Sequence, residues 1–126
     1  MGSPPVKILL DSVILIDHFN GITAATAYLR QTRGDAVISV VTRAQVMTGF
    51  DEAAREETML LDSYQLLEIS KPIAALAAHL RREHRWKLPD AFQAALARHH
   101  DLCLATRNTR DFPPETHGFA TVPYTI

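Results

Sequence analysis

The stretch Val6-Lys7-Ile8-Leu9-Leu10-Asp11-Ser12-Val13-Ile14-Leu15-Ile16-Asp17 decides the fold. Up to Leu10 it is an apolar run broken only by Lys7, the pattern of a strand covered on both faces. Such a strand cannot lie at an edge, so a sheet must be built outward from it. Asp11 ends the run and puts a carboxylate at the C-terminal mouth of a central strand, where ligands and catalytic groups collect in open α/β sheets. Beyond it, residues 14–19 predict a short helix and Asn20-Gly21 a turn.

The rest of the chain repeats this alternation. Residues 23–30 predict a helix with Ala24, Ala27 and Tyr28 on one face, and the β-branched run 36–41 predicts a second buried strand. Thr42 is the expected N-cap of a helix reaching Thr48, with Gly49 as its stop and Gln45 placed to reach back to the helix start. Residues 51–64 predict an acidic-fronted helix, in keeping with the helix dipole, and 66–69 a third strand. Pro72 opens a helix with Ile73, Leu76, Ala77 and Leu80 on one face. Leu88-Pro89-Asp90 breaks that helix and starts the next, over 91–99. Residues 102–105 predict a fourth strand, and 119–122 a fifth at the edge. Strands alternating with helices predict an α/β fold, a central parallel sheet of four to five strands with helices on both faces.

Length and composition fit a single domain over 1–126. A chain of this size buries roughly two-thirds of its unfolded surface. It is 47% hydrophobic and 21% charged with a net charge of −1, so any polyanion must be held by a local patch or by metal rather than by an overall field. One cysteine, Cys103, excludes an internal disulfide and suits a reducing, cytoplasmic setting. No apolar run has the length of a membrane span, and residues 1–5 lack the apolar region of a signal peptide. His99 and His100 are adjacent and point to different faces of a helix, which does not make a zinc pattern.

Three acids share a topological property. Asp11 and Asp111 follow the ends of two predicted strands, and Asp90 lies in the first turn of a helix. Right-handed crossovers put all strand C-termini on one edge of a parallel sheet, so these carboxylates can converge if the helix of Asp90 begins at that edge. At separations of 4–5 Å they would repel by roughly 3–4 kcal/mol per pair at an effective dielectric near 20, which protons or a cation must neutralise. A hard ion such as Mg²⁺ or Mn²⁺, which prefers oxygen ligands, suits them. Taken singly each acid is ordinary: a strand-end acid, a first-turn helix acid after Pro89, a turn residue before Phe112-Pro113-Pro114. Asp17, Asp35 and Asp101 have no converging partner in the sequence and read as turn or surface acids.

Four segments carry a resemblance: Ile8-Leu9-Leu10-Asp11-Ser12, Ile38-Ser39-Val40-Val41-Thr42-Arg43-Ala44-Gln45-Val46, Leu88-Pro89-Asp90-Ala91 and Ala105-Thr106-Arg107-Asn108-Thr109-Arg110-Asp111-Phe112. Together, over 8–112 and in order, they resemble the PIN-domain family, in particular the VapC-type toxin ribonucleases of toxin–antitoxin pairs. The resemblance implies a three-layer α/β/α sandwich and a toxin endoribonuclease that hydrolyses RNA phosphodiesters with Mg²⁺ or Mn²⁺. It also implies a homodimer and a small antitoxin partner. Carried over by position, Asp11, Asp90 and Asp111 are metal ligands, Asn108 closes the catalytic site and Thr106 supports Asp11. Arg43, Arg107 and Arg110 are candidates for flanking phosphates, or ordinary solvated arginines.

Two positions depart from the family's pattern: Gln45 stands where glutamate is usual, and Val13 where asparagine is usual. Glutamine keeps an oxygen donor but loses a charge and cannot take a proton, so metal affinity should fall and a general-base role there disappears. Gln45 is thus a member of the candidate catalytic set with weakened chemistry. The competing reading is a PIN-like module that has lost catalysis and acts through RNA or protein contacts. A phosphatase-type domain with Asp11 as nucleophile is a third, disfavoured because Asp11-Ser12-Val13-Ile14-Leu15 lacks a glycine-rich phosphate loop. The apolar stretches 22–29 and 59–67 suit either core packing or a partner interface.

Overall fold

The computed structural model describes residues 7–51 and 54–126. Within them the order is β1 (Ile8–Leu10), α1 (Ser12–Phe19), α2 (Thr23–Gln31), β2 (Ala36–Ser39), α3 (Val40–Met47), α4 (Arg55–Asp62), β3 (Gln65–Leu67), α5 (Lys71–His84), α6 (Leu88–His99), β4 (Cys103–Ala105) and β5 (Ala120–Thr121). The sheet order is β3-β2-β1-β4-β5, and every pairing is parallel. β1 is central, as its two-sided apolar run requires: Ile8 pairs with Ala36 on one side and with Cys103 on the other.

The alternation of side chains along the strands sorts the core into two layers. Leu9, Val37 and Leu104 pack with Ile73, Ala77 and Leu80 of α5 and Ala91, Ala94 and Ala95 of α6. Leu10, Ile38 and Ala105 point the other way, onto Ile14 and Leu15 of α1, Leu29 of α2, Val46 of α3 and Leu61 of α4. The result is the three-layer α/β/α sandwich expected from the sequence.

Several boundaries differ from expectation, each for a local reason. β2 ends at Ser39, and Val40 and Val41 open α3. Their β-branched side chains imitate strand residues, but the Ser39 hydroxyl accepts the Thr42 N–H at 3.0 Å and caps the helix three residues earlier than Thr42 would. Thr42 is then in the first turn, and its hydroxyl donates to the Leu10 carbonyl at 2.9 Å, tying α3 to the end of β1. Gln45 therefore has no capping-box role. Of the helix expected over 51–64, α4 covers Arg55–Asp62 with Glu56 and Glu57 in its first turn, and residues 52 and 53 lie outside the described residues, as does Val6. In α2 the buried face is Ala25 and Leu29, while Ala27 is exposed. α6 begins at Leu88, placing Asp90 inside its first turn.

Candidate active site

Asp11 follows the last residue of β1, and its N–H donates to the Ala105 carbonyl of the neighbouring β4 at 3.0 Å. Its side chain is the N-cap of α1, accepting the Ser12 N–H at 2.8 Å. It is 6% exposed, so its oxygens need partners. The Thr106 hydroxyl donates to Oδ2 at 2.6 Å, and the Gln93 amide reaches Oδ1 at 3.4 Å. Both donors come from the sheet's C-terminal edge or the helix beside it, which restricts Asp11 to one orientation.

Gln93 has no counterpart in the sequence expectations. It is 1% exposed on the buried face of α6, where its oxygen accepts from the Ser39 hydroxyl at 2.8 Å and its amide donates to the Thr42 hydroxyl at 2.6 Å. This chain of bonds joins β2, α3 and α6 beneath Asp11. One signal was present: Gln93 is the lone polar residue in the run Ala91-Phe92-Gln93-Ala94-Ala95-Leu96-Ala97, whose other members are buried or packed against the core.

The third arm is the loop after β4. Thr106 Oγ1, besides donating to Asp11, accepts the Asn108 N–H at 3.0 Å. Asn108 in turn donates from its side-chain amide to Asp111 Oδ2 at 3.0 Å, and the Asp111 N–H returns to Asn108 Oδ1 at 3.4 Å. Asp90, Asn108 and Asp111 line one cleft of about 340 Å³ together with Arg85, Lys87 and Arg110. Burial, then the negative charges of Asp11 and Asp111, push the Asp90 carboxyl up to about 6, with Lys87 opposing them. Asp90 is thus within electrostatic reach of both Asp11 and Asp111, and Asp111 shares its cleft while Asp11 does not line it.

Among the described residues no three carboxylate, imidazole or thiol side chains are gathered tightly enough to chelate an ion outright. The donors nevertheless suit a hard cation. All are oxygens, and Mg²⁺ keeps several waters and engages one or two carboxylates rather than a closed cage.

Comparison with known proteins settles the lineage. The family model of the PIN domain matches residues 8–113. This chain belongs to the PIN-domain family. A curated relative, Ribonuclease VapC10 of Mycobacterium tuberculosis, is 38% identical over 84% of this chain and 86% of its own length. The solved toxin–antitoxin complex from Klebsiella pneumoniae contains a chain that superposes with a TM-score of 0.86 at 36% identity, covering 95% of this chain and all of that one. FitAcB from Neisseria gonorrhoeae shares the fold, with a TM-score of 0.75 at 22% identity over 94% of this chain and 99% of its own.

Other candidate residues of this PIN domain are placed differently from the sequence reading. Gln45 lines an apolar groove with Val40, Val41, Leu88, Pro89 and Phe92, and also a second cleft beside Ile16 and Phe19. It does not line the cleft of Asp90, Asn108 and Asp111. Asp17 is not a surface acid. It is 6% exposed and takes a bidentate pair from Arg107, at 2.6 and 2.8 Å, plus the Tyr124 hydroxyl at 2.7 Å. The Arg107 hydrogen bonds hold the Asp17 carboxyl below its ordinary value against the effect of burial. Arg107 is therefore committed to Asp17, and Arg43 to Asp62 at 2.7 Å, so neither stands free for a phosphate.

Proposed function

We propose that this PIN domain is a divalent-metal-dependent endoribonuclease acting as the toxin of a toxin–antitoxin pair. The observation that carries the reading is that Asp90 shares one polar cleft with Asn108 and Asp111 and lies within electrostatic reach of the buried Asp11 at the end of β1. The identity to a named ribonuclease supports the activity, and the likeness to a chain of a toxin–antitoxin complex supports a small antitoxin as partner. A cytoplasmic single-domain protein working as a homodimer completes the proposal.

Asp11, Asp90 and Asp111 would hold Mg²⁺ or Mn²⁺, with the Asn108 amide beside them. When bound, the ion supplies positive charge against the phosphate and lowers the pKa of water. The chain's own residues prepare for it. Thr106 and Gln93 fix the Asp11 carboxylate through its two oxygens, and Asn108 orients Asp111. Asp90, raised to about 6 by burial and the neighbouring negative charges, keeps a proton in mildly acidic solution. Gln45 is neutral, makes no side-chain hydrogen bond among the described residues, and lines an apolar groove rather than the cleft. It favours a second reading, a PIN module with weak or lost catalysis.

Cleavage of a structured RNA in Mn²⁺ tests the proposal, with Asp90→Asn beside the parent chain. Cleavage that disappears in the variant supports a metal-dependent nuclease. RNA left intact by the parent chain and by Gln45→Glu alike, with no metal-induced rise in melting temperature, refutes it.

A further inference from the structure

The cleft that holds Asp90, Asn108 and Asp111 has a second half made of cations. Arg85 and Lys87 come from the α5–α6 connection, and Arg110 from the loop after β4. All three are exposed. Among the described residues none is in an ion pair, although carboxylates line the same cleft. The other arginines considered for phosphates, Arg43 and Arg107, are paired away from it.

The connection that carries Arg85 and Lys87 is held firmly. α5 ends with Arg85 in the left-handed region at φ 58°, a conformation that glycine usually supplies at helix ends and that costs an L-residue roughly 1 kcal/mol. The next residue explains how it is kept. Trp86 is buried, stacked on the His84 ring with centroids 4.2 Å apart and set edge-on to Phe112 at 4.8 Å. Its carbonyl accepts from Arg81 at 2.6 Å. Phe112 directly follows Asp111, so Trp86 staples the loop of Arg85 and Lys87 to the loop of Arg110 and Asp111. The flanking cations are left on the cleft side of a fixed anchor.

We propose that Arg85, Lys87 and Arg110 form a phosphate-binding subsite that holds the RNA backbone next to the acidic centre. This rests on the ribonuclease reading and adds the residues that grip the substrate. Carboxylates alone repel a polyanion. With the whole chain near neutrality, a local group of unpaired cations is what the chain itself offers to draw the backbone in.

The test is binding of a fluorescein-labelled single-stranded oligoribonucleotide in EDTA, by anisotropy across a salt series, so that cleavage plays no part. Arg85→Ala, Lys87→Ala and Arg110→Ala should each weaken binding about threefold at low salt. Each should also flatten the slope of log K against log salt by about 0.7. Arg98→Ala, at the opposite end of α6, should change neither. Circular dichroism of each variant checks that it is folded. Wild-type binding with a steep salt slope that all three variants retain overturns the subsite and leaves the nuclease reading standing. The cations would then be open to the carboxylates of a protein partner. No RNA binding by the wild-type chain, with no cleavage in Mn²⁺, overturns both.

Discussion

Asp90→Asn should stabilise the metal-free protein. The Asp90 carboxyl moves from 3.8 in the unfolded chain to about 6 in the folded one. A difference of about two units corresponds to about 3 kcal/mol of penalty on the charged form. Solvent at this half-buried group screens the penalty, leaving about 1–2 kcal/mol. The sign follows from proton binding. Between about pH 4 and pH 6 the folded state holds a proton that the unfolded state has released, so wild-type stability falls as pH rises through that window and is level above it. The asparagine variant lacks this loss. In thermal melts followed by circular dichroism in EDTA, it should melt higher than wild type by about 3–10 °C at pH 8, and by nearly nothing at pH 3.5. Mn²⁺ at ten times its dissociation constant should raise wild-type stability by about 1.4 kcal/mol and the variant's by less. A variant that melts lower than wild type at pH 8, or that shows the same shift at both pH values, would refute a repulsive acid cluster.

Gln93→Leu should cost about 1–3 kcal/mol in urea unfolding, because buried Ser39 and Thr42 lose the amide that pairs them. Its nuclease activity should fall further than stability explains, since Asp11 loses a donor. Arg107→Ala leaves Asp17 buried without its ion pair and should destabilise by about 2–3 kcal/mol at pH 7, whereas Tyr124→Phe should cost about 1 kcal/mol. Asp17 sits below its ordinary value when folded, so the Arg107 contribution is present above pH 4 and fades as pH drops through the folded value. Parallel acid-unfolding curves for the two proteins would contradict that assignment. Gln45→Glu should increase cleavage in Mn²⁺ by tenfold or more if the position acts as an acid–base group, and an unchanged rate assigns it to the apolar flank alone.

The sheet was readable because its signal is local. Leu9 and Leu10 are both apolar and β1 is covered from both sides, so one short run revealed the centre and one acid its mouth. The boundary of β2 was misread where local signals conflict: Val40 and Val41 look like strand, and only the bond from the Thr42 N–H to Ser39 shows the helix beginning. Asp17, Arg107 and Tyr124 were hidden for a different reason. Their contacts span 90 and 107 positions of sequence, and neither spacing nor composition marks a charge as paired. Arg107 lies between two residues of the acidic loop and looked like a phosphate ligand for that reason alone. Gln93 was detectable in principle, as a polar side chain on a face where the helix period puts only core.

Trp86 is the single tryptophan of the chain and is enclosed by His84, Phe112 and His117 between the two loops that border the cleft. All of the protein's indole emission therefore arises from one spot beside the charged residues. Anything that enters and shifts either loop should alter the intensity or wavelength of that emission, giving a label-free optical gauge of occupancy that needs neither turnover nor an attached dye.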